Sequence, residues 1–469
     1  MSDDKGASST RRPSAVVIGG SVTGLCAATV LAQYADVTIV ERDTLPEGSG
    51  PRKGVPQSRH AHVVWSGGVL AFNDLLPGFV DELVNRGARL VPIMSGMVSK
   101  APSGVWFRRW GNSRHYNLVC SRDLFDAALR DQVLRLPHIT LRQAHAVEGL
   151  TGDTSRVTGV RVRSAERSAT LTADLVVDAS GRASRAPHWL KGLGLPEVAE
   201  RRVDAGVTYA TRLYEAPGST VENDFPLVSI QADPSRAAGQ GGIILPVEDN
   251  KWIVTLSGTR GGEPTKEPDD FVPFALGLSD PVIGELIKDA RPLSGVTTTR
   301  STANVRRYYE KMERFPEAFA VLGDAIAGYN PVYGHGLTVS AQSAIALRDV
   351  LHSSSVGAPG VGRRIQRAAA RPVSGSWSLA VGQDALYPGA AAKPPTVVEK
   401  ALSRYVDRAV ATGARNPRAL GALLDVMSLE KPATRLFSPD MLIPMLFGPK
   451  AAYLDGPPLS DAERKAAAS

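Results

Sequence analysis

The chain has 469 residues, of which 43% are hydrophobic and 22% charged, and its formal net charge is +7. This composition is typical of a globular protein and excludes a mainly disordered chain, a collagen-like fibre and a disulfide-stapled miniprotein. Cys26 and Cys120 are too far apart for a CxxC zinc or redox pair, which favours a reducing, cytoplasmic compartment. No long basic block is present, so the charge predicts a solvated surface rather than nucleic-acid binding.

Residues 13–35 carry no charge and could suggest a membrane span or a signal peptide. The stretch contains Gly19, Gly20 and Gly24, however, whereas a spanning helix needs about 20 continuous apolar residues. No small-residue cleavage site follows a charged segment. We therefore expect no membrane span, and we interpret residues 1–13 as a disordered leader.

The first motif is a strand, a glycine-rich turn, a helix and a second strand in succession. Ala15–Gly19 is a short apolar run typical of a buried parallel strand. Gly19–Gly24 follows as the turn, Leu25–Tyr34 has helical spacing, and Val37–Glu41 is the second strand. The first and last glycines of the turn match the fingerprint G-x-G-x-x-G, while Ser21 replaces the middle glycine.

This pattern predicts dinucleotide binding, because a tight turn lets a pyrophosphate approach the N–H groups of the helix N-terminus. Glu41 ends the second strand, where a carboxylate accepts the ribose hydroxyls of an adenosine and would repel a 2′-phosphate. That favours FAD or NAD over NADP. The candidate cofactor-binding residues here are Gly19, Gly20, Ser21, Thr23, Gly24, Glu41, Arg42 and Arg52.

A second motif decides between these cofactors. Leu322–Ala325 (LGDA) ends a strand, Asn330–Gly336 (NPVYGHG) follows as a loop, and a helix is predicted from about Thr338 to Leu351. The arrangement resembles the second FAD motif of aromatic-hydroxylase-type flavoprotein monooxygenases. The resemblance implies that Asp324 binds the ribityl hydroxyls of FAD. It also implies that Pro331, Gly334 and Gly336 line the flavin ring, with His335 beside it, where it either packs or hydrogen-bonds flavin, peroxide or substrate.

A third stretch, Asp174–Ser184 (DLVVDASGRAS), departs from the same family's pattern, since Ser180 stands where the hydroxylases have an Asp tied to FAD and NADPH binding. The change is compatible with FAD binding but removes the carboxylate tied to NADPH binding, so we expect a separate flavin reductase or slow NAD(P)H use. By the same resemblance Arg122, at a helix start, contacts the FAD phosphates. Val147 ends the strand-like run Ile139–Val147 and contacts the adenine through its backbone.

Four β-rich runs lie between the two FAD motifs, and the turn Asp249-Asn250 predicts that the last two form a hairpin. In the monooxygenase fold such a sheet walls the substrate pocket, so Tyr209, Phe225 and Trp252 are candidate pocket residues, with core packing as the alternative. His60 and His62 have no further ligands at useful spacing, and we expect no metal site. The four runs are VTYATRLY (207–214), PLVSIQA (226–232), GIILPVE (242–248) and KWIVTLSG (251–258).

Over nearly its whole length the chain resembles the flavin-dependent epoxidases of polyether ionophore biosynthesis, of the lasalocid and monensin type. The stretches that carry the resemblance are Arg52–His62, Asp174–Ser184, Tyr209–Leu213, Pro226–Ala232, Trp252–Pro264 and Asn330–Gly336. It implies epoxidation of the alkenes of a linear, apolar polyketide, with O₂ activated as a flavin C4a-hydroperoxide and the cofactor carrying the chemistry. An aromatic hydroxylase is the main alternative, and a non-enzymatic flavin-binding redox module is a weaker one.

The expected fold class is α/β. A discontinuous Rossmann-like FAD-binding domain (residues 14–200 and 301–351) carries an inserted β-sheet substrate domain (201–300). A mostly helical region (352–469) completes the chain. No catalytic protein side chain is assigned, because the flavin supplies the reactive oxygen.

Overall fold

The computed structural model describes residues 11–52, 54–111, 113–222, 224–234, 238–392, 396–448 and 451–468, so most of the predicted leader lies outside the described residues. The strands are β1 (Ser14–Ile18), β2 (Asp36–Val40), β3 (Val63–Trp65), β4 (Arg89–Pro92), β5 (Met97–Lys100), β6 (Tyr116–Val119), β7 (Ile139–Arg142), β8 (Ala146–Gly152), β9 (Val157–Arg163), β10 (Ser168–Thr172), β11 (Leu175–Asp178), β12 (Glu200–Val203), β13 (Thr208–Glu215), β14 (Leu227–Ile230), β15 (Gln240–Val247), β16 (Lys251–Gly258), β17 (Thr297–Thr299), β18 (Asn304–Arg307), β19 (Phe319–Val321) and β20 (Ala327–Gly328). The helices are α1 (Val22–Leu31), α2 (Ser66–Leu75), α3 (Phe79–Asn85), α4 (Ile93–Gly96), α5 (Arg122–Leu134), α6 (Ala186–Gly192), α7 (Gly218–Glu222), α8 (Phe271–Leu276), α9 (Val282–Ile287), α10 (Gly336–His352), α11 (Val361–Asp384), α12 (Val397–Gly413), α13 (Pro417–Met427), α14 (Pro439–Phe447) and α15 (Asp461–Ala468).

A parallel sheet in the order β19-β11-β1-β2-β7 positions the first and second motifs. β1 is its middle strand, and its apolar sequence follows from burial on both faces. α1 is buried along its whole length and packs against α5 and α10, which explains why the segment is uncharged. Within the described ranges, no helix has the length and apolarity needed to cross a membrane.

A six-stranded sheet in the order β17-β13-β16-β15-β14-β5 forms the second layer. The expected hairpin is confirmed: β15 and β16 pair antiparallel, and Asp249 (φ 58°) and Asn250 (φ 54°) occupy the left-handed region that a two-residue hairpin turn requires. β5 pairs parallel with β14, so this sheet also takes a strand from before residue 201.

One predicted strand is divided in the structure. The run Ile139–Val147 was expected to be continuous, but it breaks at Ala144, whose φ is 56°. β7 before the break is the edge of the parallel sheet, whereas β8 after it belongs to a separate antiparallel sheet with β9 and β10. A left-handed residue interrupts the extended backbone of a strand, and apolar periodicity alone does not reveal such a break.

The mixed α/β class and the helical region after residue 351 are confirmed. The helix of the second motif begins at Gly336, two residues earlier than expected, so the last glycine of the loop belongs to its first turn. α11 contains Pro372 in its interior and still runs over 24 residues. Its last residue, Asp384, reaches back towards the loop of the second motif.

Candidate functional site

The turn after β1 accepts only glycine at its ends. Gly19 has φ +101°, and a Cβ added there would lie 2.7 Å from the carbonyl oxygen of Ala179. A Cβ on Gly24 would lie 1.8 Å from the carbonyl oxygen of Gly19. Ser21 is the N-cap of α1, but its side chain makes no capping hydrogen bond, so the first N–H groups of the helix stay available to an anion.

The first and second motifs touch each other through Thr23. Its hydroxyl lies 2.8 Å from that of Ser340 in α10. A Cβ on Gly323 would lie only 2.4 Å from the Thr23 Oγ1 atom, so the glycine is needed for this close approach. The two glycine-rich segments, about 300 residues apart in the chain, therefore form one site.

Glu41 is held beside the turn by a buried network. Its Oε2 atom accepts a hydrogen bond from the Gly20 N–H at 2.8 Å and pairs with Arg52 Nη2 at 3.1 Å. Arg52 also donates to the Gly20 carbonyl at 3.2 Å, and Asp43 N–H donates to Glu41 Oε1 at 3.0 Å. Both charged side chains are more than nine-tenths buried, which fixes the carboxylate at the strand end.

Asp324 follows β19 and is the unpartnered carboxylate of the site. Among the described residues it has no hydrogen-bond or ion-pair partner. Burial raises its pKa, while the positive charges of Arg182 and Arg122 oppose that rise. A Cβ on Gly336 would have only Asp324 Oδ1 within 4 Å, at 3.8 Å. A carboxylate left free beside open space fits the hydroxyls of a ribityl chain.

The other predicted cofactor residues divide into two groups. Arg122 begins α5, and its buried guanidinium binds Asp126 with Nη2–Oδ1 at 2.9 Å while its charge acts on Asp324. Arg42 is exposed and lies 3.9 Å from Asp43, and Val147 is half-buried in β8, where it pairs with Val162. The charge of Arg122 thus acts on the Asp324 carboxylate, whereas the Arg42 side chain points to solvent.

The third motif folds around a buried aspartate that precedes the substituted position. Asp178 Oδ1 accepts hydrogen bonds from Ser180 N–H at 2.9 Å and Ser180 Oγ at 2.6 Å, and Oδ2 accepts one from Ser184 Oγ at 2.6 Å. Ser180 therefore stabilises the turn instead of presenting a carboxylate. Arg182 donates to the carbonyl of Tyr329 at 2.6 Å, which connects this turn to the residue before the Asn330–Gly336 loop.

The loop Asn330–Gly336 is fixed at several points. Gly334 has φ +67°, and Trp65 Nε1 donates to the Tyr333 carbonyl at 3.0 Å. His335 is 1% exposed, and its Nε2 atom lies 2.9 Å from the carbonyl oxygen of Met427, to which it donates. The His335 Nδ1 atom is buried without a partner among the described residues. It is available to a bound group.

Sequence reasoning missed Asp384, which organises this loop from the end of α11. Its Oδ2 atom accepts hydrogen bonds from Asn304 at 2.6 Å and Asn330 at 2.9 Å, and its Oδ1 atom accepts one from the Tyr333 hydroxyl at 2.6 Å. The Tyr209 hydroxyl donates to Asn330 Oδ1 at 2.6 Å and joins β13 to the same network. The Asn-Pro start of the loop was the only sequence signal, and it did not reveal the partner.

Tyr209 lies beside this loop, and its role as a substrate-pocket residue stays a prediction. Its ring lies 6.0 Å from that of His60, whose Nδ1 atom is 2.7 Å from the Thr211 hydroxyl. Phe225 and Trp252 lie elsewhere. Their ring centroids are 5.2 Å apart, and both side chains are fully buried in a second hydrophobic core. This placement favours a packing role for both.

In the described part of the chain, one cluster has the spacing of a metal site: His115, Asp425 and Glu430. Asp425 already pairs with Arg435 at 2.8 Å and with Arg114, and Lys431 lies 3.6 Å away. Three cations around one carboxylate oppose the binding of a metal cation. We therefore interpret the cluster as a structural ion-pair network.

Buried histidines make stability depend on pH. Burial lowers the pKa of His335 and of His60 to about 4, from 6.5. Between pH 6.5 and about 4 the unfolded chain binds protons at these histidines that the folded protein does not bind. The free energy of unfolding is therefore unaffected by them above pH 6.5 and decreases as the pH falls towards about 4. We expect His335→Gln to reduce the slope of unfolding free energy against pH by at most about 1.4 kcal/mol per pH unit. Urea unfolding between pH 4 and pH 6.5 measures this slope, and the exposed His188→Gln is the control. An unchanged slope in His335→Gln would mean that His335 does not have a lowered pKa in the folded protein.

A family model and two known proteins match the sequence of this chain. The family model described as "FAD binding domain" matches residues 12–358. Protein Rv3254 of Mycobacterium tuberculosis is 31% identical over 398 residues, covering 81% of this chain and 82% of that protein. 3-(3-hydroxy-phenyl)propionate/3-hydroxycinnamic acid hydroxylase 2 of Burkholderia vietnamiensis is 25% identical over 73% of this chain, but the match covers only 56% of the hydroxylase.

The fold is also similar to that of a solved structure. p-Nitrophenol 4-monooxygenase PnpA of Pseudomonas putida DLL-E4 superposes with a TM-score of 0.64 and 14% identity, over 88% of this chain and 97% of that one. The glycine turn, the free carboxylate of Asp324 and the uncapped start of α1 fit the FAD that the family model describes. The chain therefore belongs to the FAD binding domain family, and its fold is similar to that of p-nitrophenol 4-monooxygenase PnpA.

Proposed function

We propose that this protein is an FAD-dependent monooxygenase that epoxidises isolated alkenes of a long, apolar, polyketide-like substrate. One observation supports the proposal: the histidines and tyrosines described around the Asn330–Gly336 loop are poor acceptors for a phenol proton, and the free carboxylate there, Asp324, is assigned to the ribityl chain. The pKa of His60 and of His335 is lowered to about 4 by burial, and the pKa values of Tyr209 and Tyr333 are raised well above their usual value. Asp384 has a pKa raised by burial, but it already accepts hydrogen bonds from Asn304, Asn330 and the Tyr333 hydroxyl, which hold it within the loop network.

An alkene needs no deprotonation before oxygen transfer, whereas a phenol is activated by losing its proton. Bound FAD, once reduced by electrons from NAD(P)H, supplies the activation of O₂. The protein's own contribution is to position the ring and to exclude water. Neutral, buried His335 and the Tyr333 carbonyl held by Trp65 keep the loop fixed without adding a charge beside the substrate.

Aromatic hydroxylation is the second candidate function, and the comparisons favour it. Two similar proteins are, by their names, a hydroxylase of hydroxyphenylpropionate and a monooxygenase of p-nitrophenol. If this chain acted on a phenol, the buried His60 or His335 would have to accept the proton. The Nδ1 atom of His335 has a free lone pair, because its Nε2 atom donates to Met427, and the Nε2 atom of His60 is buried without a partner among the described residues.

The two functions are separated by offering the FAD-loaded enzyme two substrates in one reaction, a linear triene carboxylic acid and a phenylpropionate phenol. With NADPH and a general flavin reductase present, we expect epoxides of the triene and unchanged phenol. Hydroxylated phenol with untouched triene would assign the aromatic-hydroxylase function instead. His335→Gln is the matched variant: loss of phenol turnover with unchanged triene turnover would assign proton transfer to this histidine, whereas equal loss of both would reflect the position of the loop.

We further propose that electrons reach the flavin mainly through a separate reductase. Ser180 turns its hydroxyl to Asp178, so the third motif offers no exposed carboxylate at that position. We expect stopped-flow mixing with NADPH alone to reduce the bound flavin slowly, and addition of a flavin reductase to accelerate reduction. Rapid reduction by NADPH without a partner protein would contradict this.

Gly336 provides a test of where the substrate and the flavin ring lie. A Cβ at this position would meet only Asp324 Oδ1 within 4 Å, so a larger side chain fits the protein itself and projects towards the proposed flavin space. We expect Gly336→Leu to fold normally, to keep much of its FAD and to lose most turnover. Flavin absorbance and product yield measure the two effects, with Gly382→Leu, an open position on α11, as control. Normal turnover in Gly336→Leu would place the reaction elsewhere.

A further inference from the structure

A basic cavity of about 460 Å³ lies between β12, β18 and the middle of α11. It is separate from the residues of the flavin site. On α11, Ala370, Ser374 and Trp377 follow one another at spacings of four and three residues and share one face of the helix. The charged residues of the wall are Arg201, Arg306, Lys311, Arg371 and Glu310.

Only one of the four cations is neutralised locally. Arg306 is 7% exposed, and its Nη2 atom binds Glu310 Oε1 at 2.9 Å and Ser374 Oγ at 3.0 Å. Its Nε–H is buried and has no acceptor among the described residues, and the Oε2 atom of Glu310 is likewise buried without a partner there. A buried guanidinium N–H without an acceptor costs free energy unless a bound group or water satisfies it.

The other three cations are exposed and face no carboxylate at ion-pair distance in the described ranges. Lys311 and Arg306 are both held over the ring of Tyr308, at 4.4 and 4.8 Å from its centroid. The pKa of Glu399 is lowered mainly by hydrogen bonds that its carboxylate accepts from Thr396, and to a smaller extent by the positive charge of Arg201. The cavity therefore keeps a net positive charge.

We propose that this cavity binds the phosphate or pyrophosphate group of a small molecule. Arginine matches phosphate oxygens with paired N–H donors, and lysine adds a point charge. Three unpaired cations beside the unsatisfied Nε–H of Arg306 provide more positive charge than a single carboxylate ligand would balance. Tyr308 and Trp377 give the rest of the ligand an apolar wall. The phosphate group could belong to a dinucleotide, to a coenzyme A-type carrier or to inorganic pyrophosphate.

The proposal is tested by calorimetric titration of inorganic pyrophosphate into the FAD-loaded enzyme at low ionic strength. We expect saturable binding that weakens with added salt. The double variant Lys311→Glu/Arg371→Glu should bind at least tenfold more weakly while its flavin absorbance and circular dichroism are unchanged. Neither residue belongs to the flavin site. Arg135→Glu, an exposed arginine at the end of α5, is the control and should retain binding.

Absence of pyrophosphate binding by the parent enzyme would overturn the proposal, and so would an equal loss in Arg135→Glu, because the attraction would then come from net charge alone. Titrations of NADPH and coenzyme A identify the source of the phosphate. Tighter binding of either molecule than of pyrophosphate, lost in the double variant, would support the site and name its ligand. Affinities equal to that of pyrophosphate would support a site for the inorganic anion.

Discussion

Replacing Asp324 with alanine is expected to weaken FAD binding by roughly ten- to a hundredfold, equivalent to about 1.5–3 kcal/mol. The reason is that its carboxylate has no protein partner in the described residues, so its hydrogen-bonding capacity is free for the ribityl hydroxyls. The neighbouring charges of Arg182 and Arg122 favour its ionised form against the effect of burial on its pKa. Titration of FAD into apoprotein, followed by flavin fluorescence, measures the loss.

Two further variants sharpen this experiment. Asp324→Asn keeps the shape and one acceptor oxygen but removes the charge, so its affinity should lie between those of Asp324→Ala and the parent. Asp289→Ala removes a carboxylate that is 89% exposed and should leave the affinity unchanged. Parent-like FAD binding by Asp324→Ala would contradict the role of this residue.

Replacing Asp384 with alanine is expected to destabilise the protein by roughly 3–5 kcal/mol. The change leaves the amide groups of Asn304 and Asn330 and the hydroxyl of Tyr333 buried without their acceptor. Each unsatisfied group costs about 1–3 kcal/mol, less whatever water recovers. Urea unfolding of the apoprotein measures the free energy of unfolding without a contribution from FAD.

The position of the loop provides a second readout. Asn330 also accepts a hydrogen bond from the Tyr209 hydroxyl. Loss of Asp384 should therefore disturb both the Asn330–Gly336 loop and β13, and turnover should fall further than FAD affinity. Tyr333→Phe removes a single donor and should cost only about 1 kcal/mol. A stability loss in Asp384→Ala no larger than that of Tyr333→Phe would mean that the network does not act as a unit.

Much of the cofactor site could be predicted because its physics is local. The turn Gly19–Gly24, the carboxylate of Glu41 at a strand end and the Asp324 loop each need particular residue types at short spacing, and all lie where expected. The hairpin at Asp249-Asn250 was predictable for the same reason, since its left-handed backbone favours these residues.

The failures concern contacts between distant segments. The partner of Asn330 is Asp384, at the end of a helix that begins about 30 residues later, and no short pattern records this pairing. Trp252 and Phe225 were candidate pocket residues with core packing as the alternative, because aromatic character alone does not distinguish a pocket wall from a hydrophobic core. The burial of Trp252 in the second core is decided by the layers packed on each side of the sheet.

Oxygen transfer from O₂ to an alkene is the central claim, and isotope labelling tests it most directly. A linear polyene carboxylic acid is incubated under ¹⁸O₂ with the FAD-loaded enzyme, NADPH and a flavin reductase, and the products are analysed by mass spectrometry. We predict epoxides that each carry one ¹⁸O atom, and no label when ¹⁸O is supplied as water. Unchanged polyene, with O₂ consumed only to hydrogen peroxide and an aromatic substrate hydroxylated by the same preparation, would contradict the account.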